Sequence, residues 1–313
     1  MIIVTASDDG FLPQLGVLLH SAWLYHPEAR FYLLDAGISE SNRDLLRRYA
    51  GERAMDLHII PCGDILKARL PMMSNLGTYA RWLVPELLPE TLDRVIYLDA
   101  DIAVIDTLDE LYASDLANYP VAAVEDGNAD VLRIESESHG TIFDHYFNAG
   151  VMVMNLRQWR SEGIAAQVFA FAAANPHKLP LSDQSALNVV LHGRSRKLDQ
   201  TWNFFKAHEI ETLPRLPRVV HFVSATRPDR WAESPFAELY KFHRDQTPWP
   251  FAGLSARRWT DLRRRLGAAL RVARYKRRAE EKRLIGVTRA TVAIPALLRA
   301  QAKQAALMGL GSP

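Results

Sequence analysis

Val95-Ile96-Tyr97-Leu98-Asp99-Ala100-Asp101 places four apolar residues directly before two carboxylates. A short apolar run with a polar boundary reads as a buried strand. Strand residues alternate faces, so Asp99 and Asp101, two apart at the strand exit, point the same way. The carboxyl end of a central strand is where open α/β sheets hold ligands. Neighbouring carboxylates raise each other's pKa unless a cation sits between them, and a divalent metal relieves that repulsion. A pair of solvated acids at a strand exit gives the same triplet, so the flanking segments decide between the readings.

Upstream, apolar runs alternate with helical patterns. Ile2–Thr5, Phe31–Leu34 and Leu57–Ile60 read as strands, and Arg94–Leu98 as the strand that carries the acidic pair. Between them Leu15, Leu18, Leu19 and Ala22 mark one helix, and Ser39 opens a second with Leu45 and Leu46 inward. Thr78–Leu88 predicts a helix strained by Pro85. Strand–helix–strand alternation specifies a parallel sheet covered by helices. Downstream the alternation loosens: Val121–Val124, Phe147–Met154 and Val219–Phe222 read as strands, Asp183–Leu191 and Pro235–Phe242 as helices. Thr247-Pro248-Trp249-Pro250 reads as a boundary, dividing residues 1–250 from a tail of 251–313.

The 313 residues are 48% hydrophobic and 24% charged, ordinary for a globular chain, which excludes a disordered segment or a rod. The net charge of +2 hides a division. From Leu254 to Pro313 there are 15 Lys and Arg against 3 Asp and Glu, net +12. The remaining 23 basic and 33 acidic residues leave the body at −10. In the tail, Trp259, Leu262, Leu266, Leu270 and Ala273 share one helical face among arginines. A basic amphipathic helix with an aromatic reads as an interfacial anchor for anionic lipid. With aromatics so sparse around the basic residues, no nucleic acid is expected as a partner. The single Cys62 excludes an internal disulfide and suits a reducing compartment. The N-terminus reads as a first strand rather than a signal peptide, and no run is apolar enough for a spanning helix. Together these predict a cytoplasmic chain peripherally attached to the inner face of the cytoplasmic membrane.

Two chemistries use an acidic pair at a strand exit. In one, a metal bridges the carboxylates to a sugar-nucleotide diphosphate; in the other, a phosphatase of the haloacid-dehalogenase type, the first Asp is a nucleophile. The second pattern wants Thr or Val where Ala103 stands. A non-catalytic module binding membrane or nucleic acid through the tail is a third reading. The first is favoured by Asp8-Asp9-Gly10 after the first strand, and by Arg81, whose guanidinium matches phosphate geometry. Asn148 among apolar neighbours and Asp183-Gln184 at a helix start also fit, although spacing alone favours a helix cap at Ser182 or Asp183 over catalysis. His221 in an apolar strand is either a core histidine or the nitrogen ligand that suits Mn²⁺. Arg227, six residues on, is placed to neutralise a phosphate.

The ordered set resembles glycosyltransferase family 8, in particular the bacterial lipooligosaccharide and lipopolysaccharide α-galactosyltransferases. The matching pieces are Ala6-Ser7-Asp8-Asp9, Leu34–Glu40, Thr78-Tyr79-Ala80-Arg81, Tyr97–Asp101, Tyr146–Val151, Asp183-Gln184 with Leu187-Asn188, and His221, covering about residues 1–245. The resemblance implies an α/β fold of GT-A type: a Rossmann-like nucleotide-binding fold with a mixed central sheet, here followed by a basic helical extension. It implies a retaining transfer of galactose or glucose from a UDP-sugar to a saccharide or glycolipid acceptor of lipopolysaccharide-core type. By the same resemblance Ala6 and Asp8 hold the uracil, with Asp101 and Arg227 also on the nucleotide. Asp99, Asp101 and His221 ligate Mn²⁺, with Mg²⁺ as the alternative ion. Arg81, Asp126, Asn148, Asp183 and Gln184 surround the donor sugar, Gln184 and Asp183 nearest the chemistry. The chain departs from the family at Gly10, where Asn is common, and at Ser224 and Arg227, where Gly and Lys are usual; Trp231 comes late.

Overall fold

The computed structural model describes residues 1–205, 216–223, 236–250 and 287–308. A seven-stranded sheet runs in the order β3-β2-β1-β4-β7-β6-β8, formed by Ile2–Ser7 (β1), Arg30–Asp35 (β2), Asp56–Pro61 (β3), Arg94–Leu98 (β4), Val121–Glu125 (β6), Phe147–Asn155 (β7) and Ser195–Leu198 (β8). The first four strands of that order are parallel; β7 runs antiparallel to both β4 and β6. The mixed sheet of GT-A type is therefore present. A second, two-stranded sheet pairs Ile102–Val104 (β5) with Val219–His221 (β9), so that Ile102 faces His221.

Helix Leu12–Tyr25 (α1) lies between the sheet and later helices, and for that reason is buried nearly all round. Glu40–Gly51 (α2) starts after Ser39 as the pattern predicts. Its first turn is capped by a carboxylate remote in sequence. Asp9 accepts bonds from Ser39 N (2.8 Å), Ser39 Oγ (3.2 Å) and Asn42 Nδ2 (3.1 Å). Burial works against the Asp9 charge, but these bonds outweigh it and lower its pKa. The predicted helix over Thr78–Leu88 forms differently. Leu76–Leu83 winds as a 3-10 helix, and an α-turn restarts at Val84–Leu87 (α4). Pro85 has no N–H to give the preceding turn, so it is accommodated in the first turn of a new segment.

Apolar side chains fill both faces of the sheet. A third cluster joins Val17 of α1, Val220 of β9, Leu239 and Tyr240 of helix Ala237–Asp245 (α10), and Ile294 of the last described helix, Val287–Leu307. That helix is also tied to the body by Gln301 Nε2, which donates to Tyr25 Oη at 3.0 Å. No helix among the described residues is long and apolar enough to cross a membrane. The predicted anchor face from Trp259 to Ala273 lies outside the described residues.

Between α1 and α10, His20 and His243 meet Nδ1 to Nδ1 at 2.8 Å in full burial. One ring nitrogen donates and the other accepts, so the pair is built from two neutral imidazoles. Burial lowers both pKa values: proximity to His243 and Arg53 adds to it at His20, and hydrogen bonding to Gln301 opposes it at His243, which is held at about 3. The unfolded chain protonates these rings below 6.5 and the fold resists. Their contribution is present above pH 6.5 and is lost as pH falls towards 3. At pH 5 the loss from His243 alone is about 2 kcal/mol. The urea midpoint is expected to fall accordingly between pH 7.5 and 5; a flat profile would show that the pair protonates without opening the helices.

Candidate active site

The strand order places β2 and β3 on one side of β1 and β4 on the other. Chain direction across the sheet therefore reverses between β1 and β4, and at such a switch point the loops leaving the two strands part to make a crevice. Asp8 leaves β1 and Asp99 leaves β4 at this crevice. Asp8 caps the turn Asp9–Phe11, accepting from Gly10 N at 2.8 Å. Ala6 is a buried residue of β1.

Asp99, Asp101 and His221 converge so that one ligand atom from each lies within 4.8 Å of the others. His221 Nε2 is 3.1 Å from Asp101 Oδ1 and 3.7 Å from Asp99 Oδ2. Pairing of β5 with β9 makes this contact, reinforced by Phe222 N donating to Asp101 O at 2.8 Å. The other ring nitrogen, Nδ1, is 3.0 Å from Asn203 Oδ1, which fixes the imidazole plane. Burial opposes protonation of His221, but Asp101 and Asp99 outweigh it and raise its pKa. Two carboxylates and an imidazole directed at one point form a group that could hold a divalent metal ion.

The ring of His221 occupies the space a side chain at position 150 would need. A Cβ on Gly150 would stand 2.2 Å from His221 Cε1. Gly150→Ala is therefore expected to displace the imidazole and weaken Mn²⁺ binding at least tenfold, read by calorimetric titration. Unchanged affinity in that variant would remove His221 from the ligand set.

Arg81 crosses the floor of the crevice. Its Nη2 is 2.7 Å from Asp99 Oδ1, its Nη1 donates to Ala149 O at 2.6 Å, and its guanidinium lies 4.9 Å from the centre of the Tyr97 ring. Nε approaches Asp183 Oδ2 to 2.8 Å, but its N–H is directed at Thr78 O (3.1 Å), so this contact is an ion pair rather than a hydrogen bond. Burial disfavours the guanidinium charge, yet Asp183 and Asp99 hold it protonated. Burial pushes Asp183 up to about 6; Arg81 pulls it down and Asp99 adds to the rise.

The opposite wall is a bulge. Between Ala123 and Val124 the β6–β7 register jumps from Met152 to Asn148, and Ala149, Gly150 and Val151 loop out of that ladder. Bulges re-aim groups beside active sites. Here the loop offers the Ala149 carbonyl to Arg81 and the Ala149 N–H to Gln184 Oε1 at 3.1 Å. Asn148 Nδ2 and Gln184 Nε2 both donate to Asp126 Oδ2, at 3.3 and 3.1 Å. Asn203 Nδ2 donates to Asn148 Oδ1 at 2.8 Å. Helix Asp183–Val190 (α9) is docked on the start of β7 by Asn188, which accepts from Phe147 N at 2.8 Å and donates to Phe147 O at 2.9 Å.

The structure thus brings together Arg81, Asp99, Asp101, Asp126, Asn148, Asp183, Gln184 and His221, with Asp8 at the same sheet edge. Arg227 lies outside the described residues. Tyr97, Gly150 and Asn203 belong to the same network without having been singled out. Tyr97 was detectable: it is two residues before Asp99 on the same strand face, and its hydroxyl lies 3.1 Å from Asp99 Oδ1. Asn203, in an irregular segment, carries no local signal.

The Glycosyl transferase family 8 model matches residues 2–233. General stress protein A of Bacillus subtilis is 28% identical over 279 residues, covering 81% of this chain and 96% of that protein. Lipopolysaccharide 1,3-galactosyltransferase of Salmonella typhimurium is 27% identical over 267 residues, 79% and 78% of the two chains. The chain spans only 61% of the longer glycosyltransferase GlyF of Streptococcus pneumoniae, at 28% identity. Among solved structures, galactosyltransferase LgtC with donor and acceptor sugar analogues superposes with a TM-score of 0.69 at 26% identity, covering 79% of this chain and 96% of that one. With the family model spanning the crevice from β1 to His221, the chain belongs to glycosyltransferase family 8.

Proposed function

We propose that this chain is a metal-dependent retaining glycosyltransferase that moves galactose or glucose from a UDP-sugar to a saccharide acceptor of the lipopolysaccharide or lipooligosaccharide core. The observation that carries the reading is the convergence of Asp99, Asp101 and His221 beside the Arg81–Asp183 pair and the Gln184–Asp126–Asn148 cluster, inside a family 8 frame. A hexose needs acceptors and donors in alternation around its hydroxyls. Asp126 and Asp183 supply acceptors; Arg81 and Asn148 supply donors. The names of the galactosyltransferase relatives support the substrate class.

Asp99, Asp101 and His221 would hold Mn²⁺, whose role is to neutralise the diphosphate as it leaves. In the transfer, the bond from the anomeric carbon to the diphosphate oxygen breaks and a bond to the acceptor oxygen forms on the same face. The acceptor proton passes to the departing phosphate oxygen. Gln184 is a neutral amide with both ends engaged, by Ala149 N and Asp126, and is a poor nucleophile. Its carbonyl is better suited to stabilising positive charge at the anomeric centre. Asp183 and Asp126 add negative potential beside it.

The basic segment from 254 to 313 supports attachment to an anionic membrane face, where a glycolipid acceptor resides. Since the last described helix packs on α1 and α10, charge replacement tests this better than truncation. Exchanging Arg263, Arg264, Arg271 and Arg274 for Gln is expected to release the chain from phosphatidylglycerol vesicles without loss of activity on a soluble acceptor.

The deciding experiment measures UDP release from UDP-galactose and UDP-glucose with Mn²⁺ and core oligosaccharide acceptors, with the product anomer read by NMR. An α-linked product lost on chelation is expected. Absence of turnover with every UDP-hexose, or an inverted product, overturns the reading.

A further inference from the structure

Gln184 and Asp183 follow a backbone that ordinary side chains avoid. Ser182 has φ 53° and ψ −123°, left-handed for a residue with a Cβ. Such a conformation persists only where its surroundings over-determine it. Backbone bonds from Ser182 N to Leu179 O (3.0 Å) and from Gln184 N to Leu181 O (3.2 Å) hold the turn, and one side-chain hydroxyl ties it to the next element. Ser185 Oγ accepts from Leu181 N at 2.9 Å, closing the Leu181–Gln184 turn from behind. The same hydroxyl donates to Glu135 Oε1 at 2.6 Å. Glu135 is fully buried on helix Ala129–His139 (α6), and its other oxygen is 3.3 Å from His139 Nε2 one turn along. The Tyr146 hydroxyl is buried beside Glu135, Ser185 and Gln184.

This arrangement is costly unless it serves something. A buried carboxyl group needs partners, and Ser185 and His139 stand on either side of this one. Helix α6 begins three residues after Asp126, whose Oδ2 receives Gln184 Nε2. The segment running from Asp126 into α6 therefore meets the Gln184 side chain through Asp126, and the Leu181 end of the turn through Glu135 and Ser185.

We propose that Glu135 is a positioning residue of the transfer centre, holding the strained Leu181–Gln184 turn through Ser185 so that Asp183 and Gln184 face the donor sugar. This rests on the glycosyltransferase reading above. Displacement of a positioned group by about 1 Å costs on the order of 100-fold in rate.

The test compares wild type with Ser185→Ala, Glu135→Leu and Glu135→Gln. Ser185→Ala and Glu135→Leu are expected to lower kcat about 10- to 100-fold while UDP affinity with Mn²⁺ stays within about twofold. Glu135→Gln keeps an oxygen to accept from Ser185 and is expected to restore kcat to within about threefold of wild type. Hydrogen–deuterium exchange of a peptide covering residues 181–185 is expected to accelerate in the first two variants and not in the third. Wild-type kcat with unaltered exchange in Ser185→Ala overturns the proposal. So does a parallel fall of kcat and UDP affinity in which Gln is no better than Leu, since that pattern marks a purely structural group. If wild type transfers no hexose, the functional reading fails, and the exchange comparison still decides whether Glu135 holds the turn.

Discussion

Asp99→Asn combined with Asp101→Asn is expected to lower sugar transfer at least 1,000-fold, close to the assay floor. The exchanges conserve volume, so the effect isolates charge. In the native crevice the two carboxylates face His221 from 3.1 and 3.7 Å, and Asp99 also receives Arg81 at 2.7 Å. With amides in both positions, a divalent ion has one imidazole and no anionic ligand. The negative charge developing on the diphosphate then meets only Arg81 and whatever basic groups close over it. Loss of electrostatic stabilisation on this scale is worth about 4 kcal/mol of barrier. Manganese titration and initial-rate kinetics on the same preparation give both readouts. Retention of a tenth of wild-type activity would move the metal, and with it the diphosphate, elsewhere.

Arg81→Met is expected to cost about 3–5 kcal/mol of stability, the largest structural effect of any single change in the crevice. The guanidinium is buried against Asp183, Asp99, the Ala149 and Thr78 carbonyls and the Tyr97 ring. Methionine fills part of the volume but takes the guanidinium away from two carboxyl groups and from two carbonyls. Lysine keeps the charge yet lacks the planar fork that reaches separate partners, so Arg81→Lys is expected to lie between wild type and Met. Two conditions should recover part of the loss. Adding Asp183→Asn to Arg81→Met removes one orphaned acid, and saturating Mn²⁺ neutralises Asp99. Urea unfolding of the four proteins, with and without Mn²⁺, tests the argument; an Arg81→Met midpoint equal to wild type would show that the acids are solvated after all.

Much of this crevice was readable from one strand outward. Val95–Leu98 announced a buried central strand because apolar runs of that length have few other uses, and Asp99 and Asp101 followed from the two-residue period. The parallel half was legible for the same reason, since β1, β2 and β3 alternate with well-patterned helices. What escaped was set by tertiary contact. Leu76–Leu83 winds as a 3-10 helix whose Arg81 reaches Asp99 and Ala149, partners far away in sequence. The brief strand β5 exists because β9 lies beside it. The bulge at Ala149–Val151 is invisible in an apolar run, as residues 147–154 read equally well as unbroken strand. Spacing alone does not separate Asp8 from Asp9, and the resemblance points to Asp8; in the fold Asp9 caps α2 while Asp8 caps the turn at the exit of β1. Ser185 and Glu135 lie 50 residues apart and give no local sign of meeting.

The pairing of Ile102 with His221 also has a meaning in time. Asp99 and Asp101 leave the ribosome some 120 residues before the imidazole that completes their site. At about 5–20 residues per second, that is an interval on the order of ten seconds. During it the parallel half of the sheet can form, but the acidic pair has Arg81 for company and no third ligand. A nascent chain therefore passes through a stage in which the acidic pair has been made and its histidine partner has not. The three-residue cluster is complete only when β9 lies between β5 and Phe204, so under the proposed function the strand of the crevice made last sets when the site can work.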